Sequence, residues 1–152
     1  DYILILDSDT IIARPHAFIN KNKLQILSFS FEYHTPYAIH ASKFLGIDVD
    51  KFSYVTHYQL WQTYLLKKIY PFGTLSLINW LLLGDFSDQS PISEFHTYGA
   101  WLMVYRQNHV CLTSWSNLNM PPKHWLSNQE KVSESLKKYG SINSISLHSY
   151  LE

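Results

Sequence analysis

The pattern of apolar and polar positions divides the chain into short segments. Tyr2 to Leu6 is an unbroken apolar run that stops at Asp7. Its brevity and isoleucine content predict a strand buried on both faces. Thr10 to Ala13 predicts a second short strand, stopped by Arg14-Pro15. Leu24 to Phe31 alternates in part and predicts a third. Tyr37 to Leu45 predicts a short helix closed by Gly46. Phe52 to Thr56 predicts another strand. Tyr58 to Ile69 has apolar residues at 58, 61, 65 and 69, which is helical spacing.

Leu75 to Leu83 predicts a helix that is apolar on nearly every side and ends at Gly84. Asp85 to Pro91 has loop composition. Ser93 to Tyr105 carries a helical stripe at 95, 98, 102 and 105, and Val110 to Trp115 predicts a strand. Ser127-Asn128-Gln129-Glu130 matches a capping box. The helix it opens is expected to bury Val132, Leu136 and Tyr139 and to close at Gly140. Ile142 to Ser149 alternates isoleucine, serine and leucine, predicting a strand with one apolar face. The expected fold class is therefore α/β or α+β.

Composition narrows the function classes. The 152 residues suit a single domain, and 46% hydrophobic against 16% charged residues supports a packed core. Twelve basic and twelve acidic residues cancel, so no global footprint for nucleic acid exists. One cysteine, Cys111, excludes an internal disulfide and a cysteine-rich metal site. Its place between Val110 and Leu112 suggests an inert core thiol. The apolar run from Leu75 to Leu83 is far short of the ~20 residues that span a bilayer. The sequence has no GxSxG elbow, no glycine-rich phosphate loop and no HExxH motif.

Four segments could carry chemistry. Asp7-Ser8-Asp9 follows the first strand directly. Side chains two apart on a strand point the same way, and the carboxyl end of a buried strand is where α/β proteins place ligands. Two such carboxylates repel unless a cation neutralises them, and oxygen donors suit Mg²⁺ or Mn²⁺. A solvated turn would explain the same residues. His148, late in the last strand, is a candidate ligand, although a histidine on a strand is more often a core or edge residue. Glu94 opens a helix, where a carboxylate commonly serves the dipole; its functional alternative is a general base. His57 and Gln59 cluster at an expected strand-to-helix junction, where side chains can face a cleft.

Together these segments resemble a family. Ile3-Leu4-Ile5-Leu6-Asp7-Ser8-Asp9-Thr10, with Arg14-Pro15 after it, resembles the DxD segment of GT-A-type nucleotide-sugar glycosyltransferases. The resemblance is closest to a bacterial family of uncharacterised glycosyltransferase-like domains. Thr56-His57-Tyr58-Gln59, Ser93 to Gly99 and Leu147-His148-Ser149-Tyr150 match its later segments in order.

The resemblance implies an incomplete GT-A-like, Rossmann-related mixed sheet flanked by helices. Residues 1–152 would then be the C-terminal, metal- and acceptor-side portion of a larger domain whose nucleotide-binding part precedes Asp1. It implies a Mn²⁺ or Mg²⁺ cofactor held by Asp7, Asp9 and His148. Asp7, Ser8 and Asp9 would bind a nucleotide-diphosphate sugar. Glu94 would be the catalytic base or face the acceptor, and His57 would line the sugar pocket. The implied activity is sugar transfer to a glycan or other hydroxyl acceptor in surface polysaccharide synthesis. The implied location is cytoplasmic, with peripheral attachment to a membrane left open. Two alternatives remain at this stage: a metal-dependent phosphatase or hydrolase using the Asp pair, and a non-catalytic glycan-binding relative.

Overall fold

The computed structural model describes residues 1–49, 51–88, 90–138, 140 and 142–148. Tyr139, Ser149 and Tyr150, included in the expectations above, lie outside the described residues. The chain is a mixed α/β protein in two compact units. The first holds Asp1–Ile5 and Phe18–Ser114; the second holds Leu6–Ala17 and Trp115–Glu152. Among the described residues no continuous Rossmann-like sheet forms. The seven strands pair instead as three small sheets.

In the first unit, β1 (Tyr2–Leu6) pairs with β4 (Tyr58–Gln62). The strand predicted at Tyr2 to Leu6 forms, but it is not buried. Tyr2, Ile3 and Leu4 are all exposed, because β1 has one strand neighbour among the described residues. The helix predicted over Tyr58 to Ile69 is also corrected: residues 58–62 are strand, and α2 covers only Thr63–Ile69. Tyr58 and Trp61 suit a strand as readily as a helix, and pairing with β1 decides between them. No strand forms over Phe52 to Thr56; Ser53 makes an isolated bridge to Ser30.

Two strands run parallel at the centre of this unit. β3 (Gln25–Phe29) and β5 (Val110–Ser114) pair with Leu27 opposite Leu112. A parallel pair needs a crossover, and the helices lie in it. α1 (Thr35–Leu45) begins with Pro36 in its first turn and ends at Gly46, whose φ of 66° is the left-handed cap glycine supplies. α3 covers Thr74–Leu82. α4 (Glu94–Tyr105) is buried on every side from Phe95 to Leu102, not along one stripe. With Leu27, Tyr54, Leu65 and Ile69 it forms the core. A three-residue 3₁₀ turn, Gln107–His109, leads into β5.

In the second unit, β7 (Ser144–Leu147) lies between β2 (Thr10–Ile12), antiparallel to it, and β6 (Asn117–Met120), parallel to it. Ile145 faces Ile11 and Leu118 and is fully buried. The serine face is buried too, contrary to a half-apolar strand with its polar side in water. Ser144 and Ser146 are both fully buried. Ser144 donates to Asn117 Oδ1 at 2.7 Å, and Asn117 Nδ2 donates to Ser146 Oγ at 3.1 Å, so burial costs little.

α5 (Pro122–Lys138) starts five residues before the expected capping box, at Pro122. Ser127 does not cap forwards: its hydroxyl donates back to the Lys123 carbonyl at 2.7 Å. Asn128 interrupts the helix with φ −135°. Val132 and Leu136 are half-buried. Arg14, read as a strand stop, donates through its guanidinium to the carbonyls of Leu136 and Gly140. It thereby satisfies the open carbonyl end of α5.

Candidate functional site

The Asp7-Ser8-Asp9 segment is a tight turn between β1 and β2. The Thr10 N–H donates to the Asp7 carbonyl at 3.1 Å, and the Leu147 N–H donates to the Asp9 carbonyl at 2.8 Å. The two aspartates therefore do not share a strand face, as their spacing suggested. The turn itself brings them together, with carboxylate oxygens within 4.8 Å of one another. Ser8, between them, is exposed.

The register of the three-stranded sheet places His148 against Asp9. Thr10 pairs with Ser146, and the His148 N–H donates to the Met120 carbonyl at 3.1 Å. Residue 148 is thus placed beside residue 9, although 139 positions separate them in the chain. His148 Nδ1 lies 3.1 Å from Asp9 Oδ2. The histidine side chain is 9% exposed and that of Asp9 is 41% exposed. The arrangement has a buried imidazole behind and an accessible carboxylate in front. β6, which anchors it through Met120, was not anticipated: Asn117 to Met120 carries too few apolar residues to read as a strand.

The carboxylates of Asp7 and Asp9 could hold a small hard cation. Neighbouring ligands of an octahedral ion with ~2.0–2.1 Å bonds are about 3 Å apart. The Asp9 Oδ2 to His148 Nδ1 distance has that value. Two carboxylates suit Mn²⁺ or Mg²⁺ better than a thiophilic metal. Without an ion the same contact is a carboxylate–imidazole hydrogen bond that fixes the ring's orientation.

The other anticipated residues lie in the first unit. His57 has φ 58°, a left-handed conformation that is uncommon outside glycine although histidine tolerates it better than most. Thr56 helps to hold it, since its hydroxyl donates to the Tyr58 carbonyl at 3.0 Å. His57 is half-buried between the buried Thr56 and Tyr58. Gln59 faces no cleft. It is buried; its amide donates to the Phe95 carbonyl at 3.4 Å, and it accepts from Trp61 Nε1 at 2.6 Å.

The Ser93 to Gly99 segment has a packing explanation at all but one of its characteristic positions. Ser93 is the N-cap of α4 and accepts from the His96 N–H at 3.2 Å. Phe95 is in the core. The Tyr98 hydroxyl accepts from the Gln62 N–H at 2.9 Å, and burial pushes its pKa up to about 12. Gly99 sits where a Cβ would come within 2.4 Å of Tyr54. Glu94 alone is exposed. Its charge helps to raise the Tyr70 hydroxyl, after the larger effect of burial.

Two cavities open in the first unit. One is lined by His40, Lys43, Asp85 and Asp88, the other by Phe44, Lys68, Phe72 and Leu75 among others. Neither includes Asp7, Asp9, His57, Glu94 or His148. Cys111 is half-buried in β5. No protein-family model, curated protein or solved structure matches this chain.

Proposed function

We propose that this chain is the metal- and acceptor-side portion of a GT-A-type glycosyltransferase, which moves a sugar from a nucleotide-diphosphate donor to a hydroxyl acceptor. The observation that carries the reading is the Asp7 and Asp9 pair, with carboxylate oxygens within 4.8 Å of one another, and the 3.1 Å contact of Asp9 with His148. The DxD resemblance of the same segment supports it. The small size of the three sheets adds no support for the Rossmann-related part of the proposal.

Asp7, Asp9 and His148 would hold Mn²⁺ or Mg²⁺. When bound, such an ion stabilises the negative charge of a diphosphate leaving group as a Lewis acid. His148 orients Asp9 from behind, and Asp9 presents its exposed carboxylate outward. Glu94, exposed at the start of α4, is the proposed acceptor-side base. His57 is the proposed sugar-pocket residue. Its left-handed backbone fixes where its ring can reach.

The test incubates the full chain with a panel of nucleotide-diphosphate sugars and measures release of the nucleoside diphosphate. Release that requires Mn²⁺, stops in EDTA and is lost in Asp9→Ala supports the proposal. Phosphate release from a simple phosphomonoester, lost in Asp7→Asn and without sugar-nucleotide turnover, assigns the site to a phosphatase instead. Glycan binding that persists in EDTA without turnover assigns the chain to a binding role.

A further inference from the structure

The cavity between α1 and the segment after α3 holds about 290 Å³, a volume that suits a small molecule. α1 contributes Ile39, His40 and Lys43 to its walls, and the segment contributes Leu83, Asp85 and Asp88.

One buried polar atom of this wall has no partner. His40 is 2% exposed. Its Nε2 lies 2.6 Å from the Trp80 carbonyl, which can only accept, so Nε2 carries the ring proton. Burial lowers the His40 pKa below 6.5, which keeps the ring neutral at pH 7. Nδ1 is therefore a lone-pair acceptor, and no group donates a hydrogen bond to it. An unsatisfied buried acceptor is costly, so the position calls for an N–H or O–H donor from outside the chain.

Charges of both signs line the same cavity. The Ser87 hydroxyl, at 2.7 Å, and the Ser87 N–H, at 3.1 Å, hold the Asp85 carboxyl below the usual carboxylate range. Asp88 is also exposed and accepts from the Ser90 N–H at 3.0 Å. Lys43 is near enough to act on Asp85 and on His40, yet it makes no hydrogen bond or ion pair among the described residues. The two carboxylates and Nδ1 call for N–H donors, whereas the ammonium of Lys43 calls for an anion. Neither a simple cation nor a simple anion meets both demands. Among the described residues Asp85 and Asp88 form no three-donor group with a histidine, so the geometry does not favour a metal ion here.

We propose that this cavity binds a free amino acid, with its ammonium towards Asp85, Asp88 and His40 Nδ1, its carboxylate towards Lys43, and its side chain against Ile39 and Leu83. The proposal does not depend on the sugar-transfer reading.

Ligand-observed NMR of the full chain with each of the twenty free L-amino acids tests it. At least one should bind saturably. The matching amine that lacks the carboxylate, and the matching acid that lacks the ammonium, should each bind at least about 10-fold more weakly. Lys43→Met and Asp85→Asn should each lower affinity for the same amino acid at least about 10-fold. Both side chains are exposed, so the circular dichroism spectra should match wild type. The proposal is overturned if no amino acid binds, which would leave His40 Nδ1 to a buried water. It is also overturned if the amine or the acid binds as well as the amino acid, or if either variant keeps wild-type affinity.

Discussion

Single residues here often do a different job from the one their spacing suggested. Arg14 closes a helix end, Gln59 completes a core network, and Gly99 makes room for a tyrosine. The Gly99 role is the most sharply defined. A methyl group there would meet Tyr54 Cβ and Cγ at 2.4 Å, and Tyr54 is fully buried, with little room to retreat. Gly99→Ala is expected to destabilise the protein by about 1–3 kcal/mol through overpacking. Chemical denaturation checks this, and a stability equal to wild type would contradict it. The candidate site divides on the same scale. The Asp pair was legible because two carboxylates two residues apart after an apolar run imply crowded charge. The turn that brings them together was not, because a hydrogen bond from Thr10 to the Asp7 carbonyl leaves no mark in the pattern.

At the scale of elements, local signals with their own punctuation were legible. α1 closes at Gly46 as expected, and α4 lies within the segment that carried apolar residues at helical spacing. Elements decided by distant partners were not. β4 reads as helix until β1 pairs with it, and β6 has no signal of its own until β7 pairs with it. Burial of whole faces was equally hidden, as the exposed β1 shows.

The contact between α1 and α3 gives an element-scale prediction. Buried His40 of α1 places Nε2 2.6 Å from the Trp80 carbonyl of α3, and their rings meet edge to face. Burial lowers the His40 pKa below 6.5; the Trp80 hydrogen bond opposes this, and Lys43 adds to the lowering. Burial shifts His16 in the same direction. The folded protein therefore binds fewer protons than the unfolded chain just below pH 6.5, so stability must fall as pH drops through that value. The loss ends once pH passes below the folded pKa. His40→Gln keeps a donor for the Trp80 carbonyl and removes the titration. It is expected to flatten the fall in thermal midpoint between about pH 7.5 and 5. An unchanged pH slope in this variant would contradict the assignment.

For the whole molecule, the α/β class was legible from mixed periodicities, whereas the single mixed sheet that the resemblance implied does not form among the described residues. Strand count and alternation do not say which strands share a ladder. Among the described residues, seven strands form three sheets in two units. The second unit nonetheless explains how chain ends far apart in sequence build one site. The register of β2 with β7 carries His148 to Asp9. Everything proposed about donor and acceptor depends on whether that site takes a cation. Titration of the full chain with Mn²⁺, followed by calorimetry, measures this directly. The account predicts saturable binding at one site, abolished in Asp9→Ala and weakened roughly 10–100-fold in His148→Ala. Absence of saturable binding to the wild-type chain, or an unchanged affinity in Asp9→Ala, would contradict it.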